Sequence, residues 1–201
     1  MTGILVVCTG NVCRSPIAEG MLRAGLAGRL GDRAPAVTSA GTAGWEGSAA
    51  MPESVAAAAE RGVDISHHVA RRLLSGHVRE ADLVLGMAGE HREDIVTSVP
   101  DAASRTFTLK ELVRLLEALP PSPEASTPDA RLAARVAEAD GLRTSGFRGN
   151  EHDEDVVDPL GLPAESYRAI AWELEGWCER LVDGLFGREP ARTAASGAEE
   201  A

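Results

Sequence analysis

Four short segments with strand character recur along the first 110 residues, and a helix-forming stretch follows each of them. Residues 4–7 (ILVV) form a continuous β-branched run, which is typical of a strand buried in a parallel sheet. The segments 36–41, 81–87 and 105–109 predict three further strands. Strands that alternate with helices favour an α/β fold, so we expect one four-stranded parallel sheet with helices on both faces.

The helices between the strands are predicted from their start and stop signals. Ser15 is placed to cap a helix over residues 16–30, with Pro16 in the first turn, where a missing N–H costs nothing. Three further helices are predicted over residues 52–61, 89–99 and 110–119.

A long amphipathic helix is predicted beyond Asp158, because apolar residues recur there at steps of three and four. Trp172 and Trp177 have aliphatic neighbours at helical spacing, and we expect both to be packing residues. Cys178 lies on the flank of the apolar stripe and has the same expected role. The stripe comprises Tyr167, Ile170, Leu174, Trp177, Leu181 and Leu185.

Two segments interrupt the alternation of strands and helices. Residues 120–153 contain PPSPEASTPD and then the weakly helical ARLAARVAEA, which predicts an insertion loop carrying one helix. Residues 188–201 lack apolar spacing, and we expect a disordered tail. A chain of 201 residues with 44% apolar content favours a single domain, which we place at residues 1–187.

Composition narrows the classes of partner and compartment. The formal net charge of −11 leaves no extended cationic surface for nucleic acid or anionic lipid, so neither partner is expected. Three cysteines without framework spacing do not describe a disulfide-stapled secreted domain. No apolar segment approaches the roughly 20 residues that cross a bilayer. These features predict a cytoplasmic protein with reduced thiols, and they leave its oligomeric state open.

The stretch VCTGNVCRSP, residues 7–16, joins the first strand to the first helix. A loop of small residues at a helix start directs several backbone N–H groups to one place, and the helix dipole adds positive potential there. This arrangement predicts an anion-binding loop. A nucleotide-binding loop of the form G-x4-G-K-[ST] is excluded, because the second glycine and the lysine are missing.

Cys8 and Arg14 form a C-x5-R pattern within this stretch. We call residues 8–15 the phosphate loop. Inward N–H groups and a guanidinium favour the ionised thiolate, which is the nucleophilic form of cysteine. Arg14 can hold two phosphate oxygens while backbone amides hold the others. The remaining predicted phosphate-binding residues are Thr9, Gly10, Asn11, Val12, Cys13 and Ser15.

The phosphate loop resembles that of the low-molecular-weight protein tyrosine phosphatases, whose bacterial branch includes protein-arginine phosphatases and arsenate reductases. The likeness covers about residues 4–186 without the 120–153 insertion. It extends to SAGTAGW at 39–45, ADLVLGM at 81–87, TFTLKEL at 106–112 and DVVDP at 155–159.

The resemblance implies a role for several residues outside the loop. Asp158, followed by Pro159, matches the general acid that protonates the leaving group and later activates water, and Asp155 is the reserve candidate. Ser39 matches the serine that supports Asn11. Trp45 and Leu160 stand where the family places walls for the substrate. The implied reaction passes through a phosphocysteine on Cys8 and needs no metal or cofactor.

Cys13 has two interpretations of similar weight. It is either a small buried residue, or the resemblance implies a reversible disulfide with Cys8 that protects the nucleophile from oxidation. A metal site is not expected, because the histidines lack ligand spacing. These histidines are His67, His68, His77, His91 and His152.

The substrate is left open between related phosphate compounds. In the family, the residue four after the nucleophile tends to be isoleucine in tyrosine phosphatases and threonine in arginine phosphatases. Val12 favours phosphotyrosine in a protein, whereas Leu160 stands where the family prefers an aromatic residue. Phosphoarginine and a small phosphorylated metabolite or sugar are the alternatives. Arsenate reduction with an external thiol is the rival reaction, and a non-catalytic phosphate sensor is the third class.

Overall fold

The predicted strands form one parallel sheet in the computed structural model, which describes residues 3–121, 127–147 and 154–187. The order of strands across the sheet is β2-β1-β3-β4, and every pair is parallel. The predicted tail, residues 188–201, lies outside the described residues. The strands are β1 (Gly3–Cys8), β2 (Ala36–Gly41), β3 (Leu83–Gly86) and β4 (Thr106–Thr108).

Seven α-helices lie in the described part of the chain. The helix α3 was not predicted, because its six residues are too few to show helical periodicity and only Val78 is buried. Short 3₁₀ segments cover Gly31–Arg33 and Pro100–Arg105. The helices are α1 (Arg14–Leu30), α2 (Pro52–Ala59), α3 (Ser75–Glu80), α4 (Gly89–Ser98), α5 (Leu109–Ala118), α6 (Pro128–Thr144) and α7 (Ala164–Phe186).

Helices cover both faces of the sheet, as the continuous apolar strands predicted. Successive side chains of β1 point to opposite faces, so Ile4 and Val6 join one apolar cluster, while Leu5 and Val7 join another. The first cluster contains residues of α1, α2, α5, α6 and α7, and the second contains residues of α3 and α4. The central strand is therefore buried on both faces, which fixes its position.

The 120–153 insertion does contain one helix, but this helix is part of the core rather than a loop near the mouth of the site. Leu132 and Ala139 of α6 are fully buried in the larger apolar cluster. Arg135 joins α6 to two other helices: its Nε donates to the Gly184 carbonyl at 3.0 Å and its Nη2 to the Leu116 carbonyl at 3.2 Å. Residues 122–126 and 148–153 of the insertion lie outside the described residues.

The prediction that Trp172 is a packing residue is wrong, because 68% of this side chain is exposed. The buried positions of α7 include Ile170, Leu174 and Cys178, and a residue two positions from Ile170 and Leu174 lies on the opposite side of the helix. Trp177 is half-buried against the core, and the Arg180 guanidinium lies 4.1 Å from its ring centre. Cys178 is buried, as expected.

The strand order explains where a binding site forms. The chain passes from β1 to β2 on one side of the sheet and then returns to β3 on the other side of β1. Ligand crevices in parallel sheets open at such a point, beyond the carboxyl ends of the strands. The phosphate loop follows β1 at this point. Among the described residues, no helix has the length and apolar character needed to cross a membrane.

Replacing Arg135 with methionine tests whether α6 is an integral part of the domain. We expect Arg135→Met to lower the free energy of unfolding by about 3 kcal/mol, because it removes the hydrogen bonds from the buried Arg135 guanidinium to the Gly184 and Leu116 carbonyl oxygens. Urea denaturation measures this change. Arg168→Met is the matched control: its exposed pair with Glu60 is screened by solvent, so the unfolding midpoint should barely move. Equal effects of the two variants would contradict the integral role of α6.

Candidate active site

The phosphate loop runs from the last residue of β1 to the start of α1, so Cys8 and Arg14 stand at its two ends. The helix begins at Arg14 and Cys13 occupies its capping position without a side-chain cap, so the prediction that Ser15 caps α1 is wrong. Ser15 lies inside the first turn, and its hydroxyl lies 2.9 Å from the Cys8 sulfur. The Ser15 side chain therefore contacts the nucleophile and does not cap the helix.

Asn11 fixes the conformation of the loop. It is fully buried and is the one non-glycine residue in the described ranges with a positive φ, 57°. Its Nδ2 donates to the hydroxyls of Ser15 (2.9 Å) and Ser39 (2.8 Å), and its Oδ1 accepts from the Arg71 N–H (2.9 Å). His68 Nε2 lies 2.8 Å from the Asn11 carbonyl oxygen. The side chain thus compensates for the strained backbone with a full set of hydrogen bonds.

The direction of each hydrogen bond follows from Asn11. Because the Arg71 N–H can only donate, Oδ1 must face it, and both Nδ2 hydrogens then go to serine hydroxyls. The Ser15 oxygen accepts from Asn11, which leaves its own hydrogen for the Cys8 sulfur. The Ser39 hydroxyl likewise donates to Glu19, at 2.5 Å. This chain of donors ends on Cys8 and stabilises a thiolate there.

Arg14 lies almost fully buried beside the loop, and its donors are divided between two segments. Nη1 donates to the Val156 carbonyl at 3.0 Å. Nη2 donates to Thr9 Oγ1 at 3.3 Å and to Asp158 Oδ2 at 2.6 Å. The Nε donor is buried and has no partner among the described residues. A buried donor of this kind is costly unless an acceptor binds to it, so it points to an oxyanion ligand.

The 154–163 loop holds two aspartates in different settings. Asp158 is 42% exposed, forms an ion pair with Arg14, and accepts the Leu160 N–H at 3.1 Å. Asp155 accepts the Gly89 N–H at 2.7 Å and so binds the start of α4. The Val156 N–H donates to the Met87 carbonyl at 2.7 Å, which ties this loop to the end of β3. Asp158 is therefore the aspartate that contacts the phosphate loop.

Trp45 lies against the phosphate loop and is 47% exposed. The backbone N–H of Trp45 donates to the Gly10 carbonyl at 3.0 Å, and a Cβ placed on Gly10 would lie 3.8 Å from the Trp45 indole. Gly41 allows the end of β2 to lie close to the phosphate loop, because a Cβ on Gly41 would collide with the Thr9 carbonyl oxygen. Leu160 is also exposed, whereas Val12 is buried in the core.

Cys13 is a free, buried thiol, and burial raises its pKa to about 11. Burial is the main cause of this value, and the negative charge of Asp158 contributes to it in the same direction. Cys13 therefore stays protonated at neutral pH. The disulfide with Cys8 stays a prediction, since Cys8, Cys13 and Cys178 are all free thiols here.

Several residues of the site were missed in the sequence. His68 and Arg71 contact Asn11 from a segment that carries no motif, and their contact depends on chain folding alone. Glu19 could have been found from the sequence, because it lies one helical turn after Ser15 on the buried side of α1. Within the described ranges, no three His, Cys, Asp or Glu side chains are grouped as a metal ion would require.

The family model for the low molecular weight phosphotyrosine protein phosphatases matches residues 3–118 of this chain. The chain belongs to this family. It is a cysteine-dependent phosphatase, and Cys8, Arg14 and the aspartate-containing 154–163 loop fit a phosphocysteine mechanism. Of the five stretches that suggested the family, four lie within the matched residues, and DVVDP at 155–159 lies beyond them.

Both named classes of the family are among the relatives. The protein-arginine-phosphatase of Geobacillus stearothermophilus is 33% identical over 90% of this chain and 95% of its own. The probable low molecular weight protein-tyrosine-phosphatase EpsP of Ralstonia solanacearum is 40% identical over 54% of this chain and 71% of its own. Among solved structures, the low molecular weight protein tyrosine phosphatase of T. tengcongensis has a TM-score of 0.67 and 34% identity, covering 92% of this chain and all of that one.

The raised pKa of Cys13 predicts a distinct reactivity. In a Cys8→Ser/Cys178→Ser variant, the rate of alkylation should rise about tenfold per pH unit between pH 7 and 10, because only the thiolate reacts. Stopped-flow measurement with iodoacetamide gives this profile. The same variant unfolded in urea is the control, and its rate should level off above the ordinary thiol pKa of roughly 8.5. A plateau near neutral pH in the folded protein would contradict the assignment.

Proposed function

We propose that the chain hydrolyses phosphomonoesters through a phosphocysteine on Cys8, with Arg14 binding the phosphoryl group and Asp158 as general acid and base. The observation that carries this proposal is the ion pair of 2.6 Å between Arg14 and Asp158, in a site whose phosphate loop also holds the Cys8 sulfur 2.9 Å from the Ser15 hydroxyl. Nucleophile, anion-binding cation and acid thus meet at one end of the sheet.

In the first step, the Cys8 thiolate attacks phosphorus, so an S–P bond forms and the P–O bond to the leaving group breaks. The phosphoryl oxygens bind Arg14 through Nε, which has no partner among the described residues, and through Nη2. Binding at Nη2 releases Asp158 from its ion pair. The released Asp158 carboxylate takes up a proton from solvent, and the resulting carboxylic acid gives this proton to the leaving oxygen as the P–O bond breaks.

In the second step, water attacks the phosphocysteine. Asp158, now ionised, takes a proton from the water as the S–P bond breaks and the Cys8 thiolate is restored. Backbone N–H groups of the phosphate loop and Arg14 stabilise the charge that develops on the oxygens in both steps. The remaining predicted ligands, Thr9 to Cys13, contribute mainly through these amides.

We propose phosphotyrosine in a protein as the substrate. Support comes from the exposed indole of Trp45 beside Gly10, which offers a flat wall for an aromatic ring. The apolar Val12 provides no hydrogen-bond acceptor for a guanidinium group. Leu160 is exposed in the 154–163 loop and adds an apolar side chain near the acid.

Phosphoarginine in a protein is the second candidate. Two relatives that align over 90% of this chain, from Geobacillus stearothermophilus and Bacillus subtilis, are named protein-arginine-phosphatase. Etp of Escherichia coli, a relative named as a tyrosine phosphatase, aligns over 63% of this chain. The exposed carboxylate of Asp158 could accept a guanidinium N–H. Both candidates share a phosphorylated protein as partner.

Substitution of the reacting groups tests the mechanism. We expect Cys8→Ser to abolish hydrolysis of p-nitrophenyl phosphate, and Asp158→Asn to lower kcat by roughly 10²- to 10⁴-fold while phosphate affinity is retained. Asp155→Asn is the matched control and should keep kcat, because Asp155 binds a backbone amide of α4. Loss of kcat in Asp155→Asn with normal kcat in Asp158→Asn would reassign the acid.

A panel of substrates tests specificity. We expect kcat/KM to be at least about tenfold higher for a phosphotyrosine peptide than for the matched phosphoarginine peptide, a difference of about 1.4 kcal/mol. Val12→Thr should narrow this ratio by adding a hydroxyl, whereas Val12→Ile should preserve it. Preference for phosphoarginine or a sugar phosphate would reject phosphotyrosine. Reduction of arsenate by thiols without any phosphatase turnover would reject the proposed function.

A further inference from the structure

We propose that His91 is a positioning residue of the active site, acting through the Thr9 hydroxyl to hold the Arg14 guanidinium in its phosphate-binding orientation. The inference rests on the proposed function and adds a residue from α4 to the machinery. His91 lies 82 positions from Thr9 in the sequence, so their contact joins the phosphate loop to a different part of the fold.

The geometry places Thr9 between the His91 imidazole and the Arg14 guanidinium. His91 Nε2 lies 3.0 Å from Thr9 Oγ1, and the same oxygen lies 3.3 Å from Arg14 Nη2. His91 stands in the first turn of α4 and is 1% exposed. Its nearest carboxylate, on Glu90, lies 3.6 Å from Nε2, which is too long for a hydrogen bond. Thr9 is therefore the hydrogen-bond partner of this nitrogen.

The protons in this contact follow from Arg14. A guanidinium only donates, so Thr9 Oγ1 accepts from Nη2. His91 Nδ1 is buried and has no partner in the described part of the chain. A buried N–H without an acceptor is rarer than an unfilled acceptor, which favours the proton on Nε2. His91 then donates to Thr9, and the oxygen is held from two sides.

The contact is made by a neutral imidazole. Burial lowers the pKa of His91, and the adjacent Arg14 cation lowers it further, while Glu90, Asp94 and Asp155 oppose this shift. A neutral ring can hold Thr9 without placing a second positive charge beside the guanidinium. Protonation would set two cations against each other and weaken the arrangement.

Arg14 depends on this hold during the proposed reaction. Of its three acceptors, Asp158 must leave to transfer a proton, and the Val156 carbonyl belongs to the 154–163 loop. Thr9 is the acceptor inside the phosphate loop that stays in place. Bidentate phosphate binding tolerates little rotation of the guanidinium plane, so a mobile Thr9 side chain would weaken it.

A double-mutant cycle with inorganic phosphate tests the proposal. Thr9→Val and His91→Phe remove one partner each, and calorimetric titration gives the dissociation constant for phosphate without any turnover. We expect each variant to weaken phosphate binding about five- to twentyfold, and the double variant to be no weaker than the single ones. Thr9→Ser, which keeps the hydroxyl, should bind phosphate like the parent chain.

The controls separate positioning from general destabilisation. His77→Phe removes another histidine whose pKa burial lowers, on α3, and should leave phosphate binding unchanged. Thermal unfolding of every variant identifies any that fails to fold, and His91→Leu, which is smaller and also lacks a donor, replaces His91→Phe in that case. Unchanged phosphate affinity in folded His91 variants, or losses that multiply in the double variant, would overturn the proposal. Hydrolysis of p-nitrophenyl phosphate by the parent chain reports on the proposed function separately.

Discussion

The buried amide of Asn11 is the interaction on which the site depends. A loop that directs its N–H groups inward needs a residue in the left-handed region, and for a non-glycine residue that conformation costs free energy. Asn11 offsets the cost by donating to Ser15 and Ser39 and accepting from Arg71. The same hydrogen bonds orient the hydroxyl of Ser15 toward Cys8. The backbone geometry of the loop and the hydrogen bond to the nucleophile thus share one origin.

The molecule concentrates positive potential locally while carrying a formal net charge of −11. Arg14 is buried, so its interactions are screened little by solvent, and the amides of the loop add to its field. Its ion pair with Asp158 balances this charge until an oxyanion takes over the donors. An acidic protein can therefore bind a phosphate group without any basic surface, provided that the donors converge at one point.

Local patterns predicted the parts of the fold that depend on local chemistry. Continuous apolar runs predicted β1 and β3, since burial on both faces of a sheet requires continuous apolar residues. The segments 36–41 and 105–109 correctly predicted β2 and β4. The spacing of Cys8 and Arg14 predicted an anion-binding site, because a strand-loop-helix turn brings two positions at this spacing close together. The predictions for Ser15 and Trp172 failed for one reason, because each was based on residue type alone. The role of Ser15 depends on the residue at which α1 begins, and the exposure of Trp172 depends on how α7 is rotated against the core.

The sequence by itself determined the layers of the fold, the nucleophile and its cation, because these follow from periodicity and from residues close together in the chain. Only the tertiary structure decided which aspartate reaches Arg14, that α6 belongs to the core, and that His68, Arg71 and His91 surround the phosphate loop. The contacts of Asp158, His68, Arg71 and His91 with the phosphate loop join residues separated by 57 to 144 positions. No local pattern encodes them, because they arise from how strands and helices pack once the chain has folded.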